Sequence, residues 1–433
     1  MESTVRRTRR SYVRPAADTP SGSLELSAID RDVGLRHMVR SLHVFRHWHE
    51  AGRLRGEEGS RSPASVVREA LGKALVDYYT FAGRLVDGPQ GPASARVECT
   101  GDGAWFVEAI AACSLEDVAC LDHHPLAIPA EDLLPDAAPG VHPLDIPLMM
   151  QVTEFTCGGF VVGLSSSHTL TDGLGAGQFI IAVGDYARGL PKPRVSPIWA
   201  RELVPSPPKL HLPQPPPDPP TFNFRYLIVD LSFDGVNRVK SQFLASTGQR
   251  CSSFDVAVAK VWQARTRSLR LPDPSSCVTL CFFANARHLL PKDGAGAAGF
   301  YGNCFYPVTL TAESGAVERA DVAGVVGMVR DAKERLAAEF ARWAAGELED
   351  DPYALWWRHE PLFVSDWRQL GFLEADFGWG APSHVAPLAT LRFMPVALIV
   401  TPPKPRTGVR ITTQCMEEEH MPAFREEMKA FEE

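Results

Sequence analysis

The sequence predicts an α/β or α+β protein of two domains, and three observations carry that expectation. The chain has 433 residues, too many for one ordinary hydrophobic core and about right for two large domains. Strand-like and helix-like stretches interleave along it rather than segregating. Near the middle, residues 189–220 ("GLPKPRVSPIWARELVPSPPKLHLPQPPPDPP") are dense in proline, which donates no backbone hydrogen bond and favours an extended chain. The expected division is a first domain over 1–188, a crossover linker over 189–222 and a second domain over 223–433.

The elements follow in order. The N-terminus, "MESTVRRTRR", is basic, lacks the apolar core of a secretion signal, and reads as a solvated tail. Residues 64–85, "ASVVREALGKALVDYYTFAGRL", place apolar side chains at helical spacing and end near Gly83. "PLMMQVTEF" and "FVVGLSSS" read as two strands joined by a "CGG" turn. The next stretch, "GLGAGQFIIAVGDYARGL", reads as a helix that Thr171 or Asp172 can cap. After the crossover the grammar repeats: strand in "FRYLIVDLSF", helices in "GVNRVKSQFLAST" and "SFDVAVAKVWQARTRSL", strand in "CVTLCFFANAR".

Composition narrows the function. An apolar fraction of 45% and a charged fraction of 22% are those of a folded globular chain. A net charge of -8 argues against a dedicated nucleic-acid binder, whose footprint is basic. No run approaches the roughly 18 apolar residues of a membrane span. The nine cysteines are scattered with no CxxC, the pattern of reduced thiols in a cytoplasmic protein.

Two short motifs point to chemistry. In "SHTLTDG", residues 167–173, an apolar strand ends at His168, with Asp172 four positions later and Gly173 after it. Imidazole titrates near neutral pH, so His168 suits a general base while Asp172 holds a strand-to-helix bend. A core histidine followed by an N-cap aspartate satisfies the same pattern. "DFGWG", residues 376–380, shares its first three residues with the magnesium-binding tripeptide of protein kinases. The strand lysine, HRD loop and glycine-rich loop of a kinase are not found in order. "GAGAAG", residues 294–299, matches a dinucleotide pattern but neither follows a clear strand nor opens a helix, and reads as a flexible loop. "DHHP", residues 122–125, has no second ligand cluster at metal spacing, so no metal is expected.

Together these motifs resemble the BAHD acyl-CoA-dependent acyltransferases of plant specialised metabolism. HxxxD appears as "HTLTD" and DFGWG is intact, in the family's order and roughly two hundred residues apart. "YYTFAGRLV" resembles the family's "YYPxAGRL" with Thr80 in place of proline, and "FYGNCFYP" its asparagine loop. "VRPAADTPSGSLELSAID" looks like its opening strand, and "SSFDVAVAKVWQARTR" like a helix of its second domain. Within the family, "AIDRDVGLRHMVRSLHVFRH" and "SPIWARELV" look most like the alcohol acyltransferase subgroup, above all the p-coumaroyl-CoA:monolignol transferases of grasses.

The resemblance implies a chloramphenicol-acetyltransferase-like fold: two domains, mixed sheets with helices around them, and an interdomain channel. It implies a monomer that binds no resident cofactor and takes acyl-CoA as co-substrate, with an alcohol as acceptor. His168 would deprotonate that alcohol; Asp172 would point away from substrate and pair with Arg287 in "ANARHLL". Trp379 carries an indole N–H that can serve the oxyanion, while Asp376, Gly378 and Gly380 would support the fold. Ser252 and Ser253, at a predicted helix start, can line the CoA arm, and ordinary N-capping explains them equally well. Ser41 and His43, in "MVRSLHV", fall in a pocket-forming stretch and can touch the acceptor. Benzoyl-CoA or acetyl-CoA as donor is the alternative within this class. A non-catalytic CoA or phenolic binder is the alternative outside it.

Overall fold

The computed structural model describes residues 4–46, 61–89, 91–208, 221–291, 298–354, 360–388, 392–429 and 431. Contacts divide the chain into two units, one of Met1–Pro205, Leu290–Cys304 and Arg368–Leu388, the other of Ser206–Leu289, Phe305–Trp367 and Ala389–Glu433. This differs from the expected split at 189–222. The DFGWG segment belongs with the first unit, and the chain visits that unit three times. Residues 209–220 of the expected linker and residues 294–297 of "GAGAAG" lie outside the described residues.

In the first unit the strands are β1 (Val5–Val13), β2 (Gly22–Glu25), β3 (Met38–Phe45), β4 (Arg84–Gly88), β5 (Gly91–Cys99), β6 (Ala104–Ala111), β7 (Leu148–Glu154) and β8 (Phe160–Ser167). The helices are α1 (Pro63–Asp77), α2 (Ala130–Leu133) and α3 (Gly173–Ala187). β1, β6, β7, β8 and β3 form a mixed sheet in that order, and β2, β5 and β4 a smaller antiparallel one. A late strand, β13 (His384–Pro387), completes the larger sheet by pairing antiparallel with β3, His384 opposite Val44. That pairing is why the segment around DFGWG joins the first unit.

Two local expectations change. The basic N-terminus is not a solvated tail: Val5–Val13 pairs with β6 as an edge strand. Its arginines find partners, Arg7 with Gln151 of β7 at 3.1 Å and Arg10 with Asp136 in the loop after α2 at 2.7 Å. Charged side chains on an edge strand also discourage pairing with other chains. The helix expected over 64–85 ends at Asp77, and Arg84–Gly88 turns into β4. Helical spacing persists through the intervening 3₁₀ turn at Tyr79–Ala82, so the pattern did not reveal the break.

β8 is buried on both faces along its whole length, as a central strand should be. Its register with β3 sets the site. Phe45 pairs with Phe160, His43 with Val162, Ser41 with Leu164 and Met38 with Ser167. Residues two apart share a sheet face, so Ser41, His43 and Phe45 lie with Val162, Leu164 and Ser166 on one side. Leu42, Val44 and Val161 face the other side, in a core with Leu115, Ile128 and Leu133.

The second unit contains β9 (Phe224–Leu231), β10 (Cys277–Asn285), β11 (Phe305–Glu313), β12 (Leu362–Asp366), β14 (Val396–Val400) and β15 (Val409–Glu417). They form one mixed sheet in the order β11, β10, β12, β14, β15, β9. Its helices are α4 (Phe233–Thr247), α5 (Ser253–Leu269), α6 (Ser314–Arg319), α7 (Val322–Glu334), α8 (Leu336–Ala344) and α9 (Met421–Lys429). α5 is the hub, with Trp262, Val258 and Val261 almost fully buried.

Candidate active site

His168 lies one residue beyond β8, where its N–H donates to the carbonyl of His37 at 3.0 Å. That bond extends the β3–β8 ladder by one step and places the imidazole on the Ser41–Leu164 face. The chain then bends. Asp172 caps α3 by accepting from Gly175 N at 3.0 Å, and its other oxygen accepts from Cys304 N at 3.0 Å. Thr171 donates to the carbonyl of Tyr301 at 2.6 Å, and Thr169 to that of Leu35 at 3.1 Å. Of the sequence "SHTLT", all but His168 is buried, and the histidine alone keeps partial exposure.

The state of that imidazole follows from its neighbours. His168 Nδ1 lies 3.1 Å from Asn303 Oδ1. The amide of Asn303 cannot be turned the other way. Its Nδ2 sits 2.8 Å from Asp30 Oδ1, 2.8 Å from the His168 carbonyl and 3.4 Å from the Thr169 carbonyl. All three are acceptors, so the atom facing them must be the NH₂ donor. Oδ1 therefore faces His168, Nδ1 must carry a hydrogen, and the lone pair is on Nε2. Burial holds the imidazole below its ordinary pKa, against the opposing pull of its own backbone, the Asp172 carboxylate, Asn303 and Asp30. Near neutral pH the ring is uncharged.

A second histidine stands against it. The His37 and His168 rings meet edge to face, centroids 5.2 Å apart. His37 Nδ1 donates to the Gly34 carbonyl at 2.8 Å. Burial, and then any charge on His168, pushes its pKa down to about 3.

Ser41 and His43 share the sheet face of His168 but lie further down it. Opposite Leu164 and Val162, they are about four and six strand positions from His168, roughly 13 and 20 Å. Ser41 Oγ and His43 Nε2 are 3.0 Å apart. His43 packs edge-on against Phe372, and burial drives its imidazole down to about 3.

Trp379 lies elsewhere, which corrects its candidacy as oxyanion donor. Its indole meets the ring of Phe160 edge-on, centroids 5.5 Å apart. Phe160 opens β8 and Ser167 closes it, seven rises of ~3.3 Å, so ~23 Å separate them. Asp376 gives a second measure. Its backbone lies where a Cβ on Gly184 would come within 2.8 Å of it, twelve residues and ~18 Å along α3 from Asp172. The DFGWG turn instead serves the fold. Asp376 Oδ1 accepts from Gly378 N at 2.7 Å and Gly380 N at 2.9 Å, and both glycines have positive φ, 101° and 85°. Side chains resist that conformation. Phe377 is fully buried and packs on Phe45 at 5.2 Å.

In the second unit, Ser252 is an exposed N-cap of α5. It forms a reciprocal capping box with Asp255, which also pairs with Lys333 at 2.7 Å. Ser253 follows at the first helical position. Arg287 opens a short 3₁₀ turn after β10, its backbone N–H donating to Asn285 Oδ1 at 3.1 Å.

Sequence reasoning passed over Asn303, Asp30, Arg201 and His37. Asn303 was visible as part of "FYGNCFYP" without a task. Asp30 and Arg201 carry no periodic signal, because Asp30 meets Asn303 across 273 positions of sequence. Among the described residues no cluster of three or more His, Cys, Asp or Glu is placed to hold a metal ion.

The site is an uncharged, partly exposed imidazole at the strand-to-helix bend of a mixed α/β fold. A family model described as the Transferase family matches residues 3–431, and the chain belongs to that family, the BAHD acyltransferases. It is 65% identical over 440 residues to Acyl transferase 4 of Oryza sativa subsp. japonica, covering 99% of each chain. It is 39% identical over 454 residues to myricetin 3-O-glucosyl 1,2-rhamnoside 6'-O-caffeoyltransferase AT2 of Crocosmia x crocosmiiflora, covering 100% of each. The crystal structure of vinorine synthase has a similar fold, with a TM-score of 0.75 at 20% identity over 99% of this chain and 98% of that one. The protein is an acyltransferase, and acyl-CoA is its co-substrate.

Proposed function

We propose that the enzyme transfers a hydroxycinnamoyl group, p-coumaroyl, from CoA to the primary hydroxyl of a monolignol. The observation that carries the mechanism is the Asn303 contact, which leaves the His168 lone pair on Nε2. Nε2 takes the hydroxyl proton as the alcohol oxygen attacks the thioester carbonyl. The tetrahedral intermediate collapses with cleavage of the C–S bond, and the imidazolium returns its proton to the departing CoA thiolate. No acyl-enzyme is formed. Asp172, accepting from Gly175 N and Cys304 N, holds the bend that presents His168.

The caffeoyl donor named for one relative supports a hydroxycinnamoyl donor here. Ser41, on the same face and roughly 13 Å from His168, suits the ring end of an acceptor rather than its reacting hydroxyl, and His43, hydrogen-bonded to it, suits a supporting place behind Ser41. Ser253, beside the cap of α5, suits the pantetheine arm. Nine scattered cysteines with no CxxC among them support a reducing compartment and a cytoplasmic enzyme, which we take to act as a monomer.

The test is a panel of acyl donors and alcohols read by mass spectrometry. p-Coumaroyl-CoA with coniferyl or sinapyl alcohol should give the highest kcat/KM. Robust benzoyl or acetyl transfer beside only traces from p-coumaroyl-CoA overturns the substrate assignment and leaves the acyltransferase chemistry intact.

A further inference from the structure

We propose that Asp30 and Arg201 are positioning residues for His168: a buried ion pair that orients Asn303 and thereby fixes which imidazole nitrogen carries the proton. This rests on His168 as the base, but not on any particular acyl donor.

The residues converge from four stretches of the first unit. Asp30 follows "LSAI", Arg201 lies in the proline-dense segment expected to be a linker, Asn303 sits in the asparagine loop, and His168 ends β8. Asp30 is 0% and Arg201 4% exposed. Asp30 Oδ1 accepts from both Asn303 Nδ2, at 2.8 Å, and Asn303 N, at 3.1 Å. Its Oδ2 accepts from Ser27 N at 3.1 Å and lies 2.7 Å from Arg201 Nε. An ionised carboxylate accepts and never donates. Facing Asn303, it admits only the amide orientation that turns Oδ1 toward His168.

Arg201 balances that buried charge and also touches the base's own segment. Its Nη2 donates to the Leu170 carbonyl at 2.7 Å, between His168 and Asp172. Its guanidinium lies over Trp199 at 4.0 Å and over Phe300 and Tyr301 at 5.1 Å. The asparagine loop approaches so closely that a Cβ at Gly302 would lie 2.3 Å from Arg201 Nη1. One cation therefore spans the HxxxD bend and the loop that carries Asn303.

A purely stabilising role is the competing explanation, and it accounts for less. Removing two charges from water is costly, and apolar pairs of similar volume often replace buried ion pairs without loss of stability. What an apolar pair cannot supply is an acceptor that dictates the orientation of Asn303.

Two variants separate these roles. Asp30→Asn keeps size and removes the acceptor-only constraint. The amide of Asn303 can then flip, its NH₂ facing His168 and moving the ring proton to Nε2, although the two backbone carbonyls oppose the flip. We expect kcat to fall by about ten- to a hundredfold, less than where such an aspartate touches the histidine directly, with KM for both substrates within about threefold. The spectrum of ¹⁵N-histidine-labelled enzyme without substrate should show His168 shifting from Nδ1–H toward Nε2–H. The double variant Asp30→Leu/Arg201→Met also strands the Ser27 and Asn303 N–H groups and the Leu170 carbonyl, so it should melt lower than wild type while showing the same tautomer change and loss of kcat.

An unchanged His168 spectrum in Asp30→Asn, or a double variant with wild-type kcat and spectrum, overturns the proposal. If the double variant does not fold, the single isosteric variant decides by its spectrum and kcat. A failed base assignment looks different, because His168→Ala would then retain turnover while both positioning variants still altered the tautomer.

Discussion

HTLTD and DFGWG lie at opposite ends of the same strand and the same helix, and the two ends are built from different materials. Around His168 are a second histidine, a carboxamide, two carboxylates and a buried arginine, joined by directional hydrogen bonds. Around Trp379 are Phe45, Phe160 and Phe377, with Phe45 and Phe160 stacked at 4.6 Å and 4°. One end fixes a proton's position, and the other fixes the distance between a helix and a sheet. Two equally distinctive motifs can thus act through chemistry in one case and through packing in the other.

Removing the base tests the chemical end most severely. His168→Ala should lower kcat by roughly 10²–10⁴ with little change in thermal stability. In the wild type, the acid limb of kcat/KM reports the free enzyme's base. Because burial lowers the His168 pKa, the ring is neutral down to below its ordinary value of about 6.5. Activity should therefore hold as pH falls through 6.5 and drop only at lower pH. A limb above 6.5 would contradict both the burial argument and the role of this imidazole.

The packing end should respond in stability instead. A Cβ on Gly184 would lie 2.8 Å from the carbonyl oxygen of Asp376 and 3.1 Å from its nitrogen, backbone atoms that an Asx turn holds in place. Gly184→Val adds two more carbons there and should cost about 2–3 kcal/mol by overpacking, read as a lower denaturation midpoint. The kcat per folded molecule should stay near wild type. A large loss of kcat at unchanged stability would mean that the two ends are coupled through α3, and the comparison would fail.

The two ends were also unequally legible in the sequence. Local patterns were visible: β7, β8 and the cap at Asp172 follow from apolar runs and one short polar residue. The base expected at His168 rests on imidazole chemistry at a strand end. What could not be read was whatever depends on distant pairing. β13 joins β3 only through a register that no local pattern encodes, so DFGWG was assigned to the wrong half of the chain. Arg201 was hidden because proline density reads as linker, although the described part of that segment is anchored by an Ile198–Phe300 bridge and the buried guanidinium. The indole of Trp379 was chosen for its donor group alone, and chemistry without position gave the wrong place.

The smallest expected effect is the sharpest test of that last point. Trp379→Phe removes the indole N–H and keeps an aromatic ring against Phe160. A preorganised oxyanion donor is worth roughly 10²–10³ in kcat when removed. A ring packed ~23 Å along β8 from the reacting atoms is worth almost nothing to the chemical step, so kcat should stay within about threefold of wild type. Stability should fall by about 1 kcal/mol for the apolar area lost. Steady-state kinetics with saturating acyl-CoA, beside a denaturant titration, reads both numbers on one preparation. If kcat fell a hundredfold with the midpoint unmoved, Trp379 would have to reach the thioester carbonyl after all. The strand between Phe160 and His168 could not then be the rigid spacer that its paired, fully buried backbone describes.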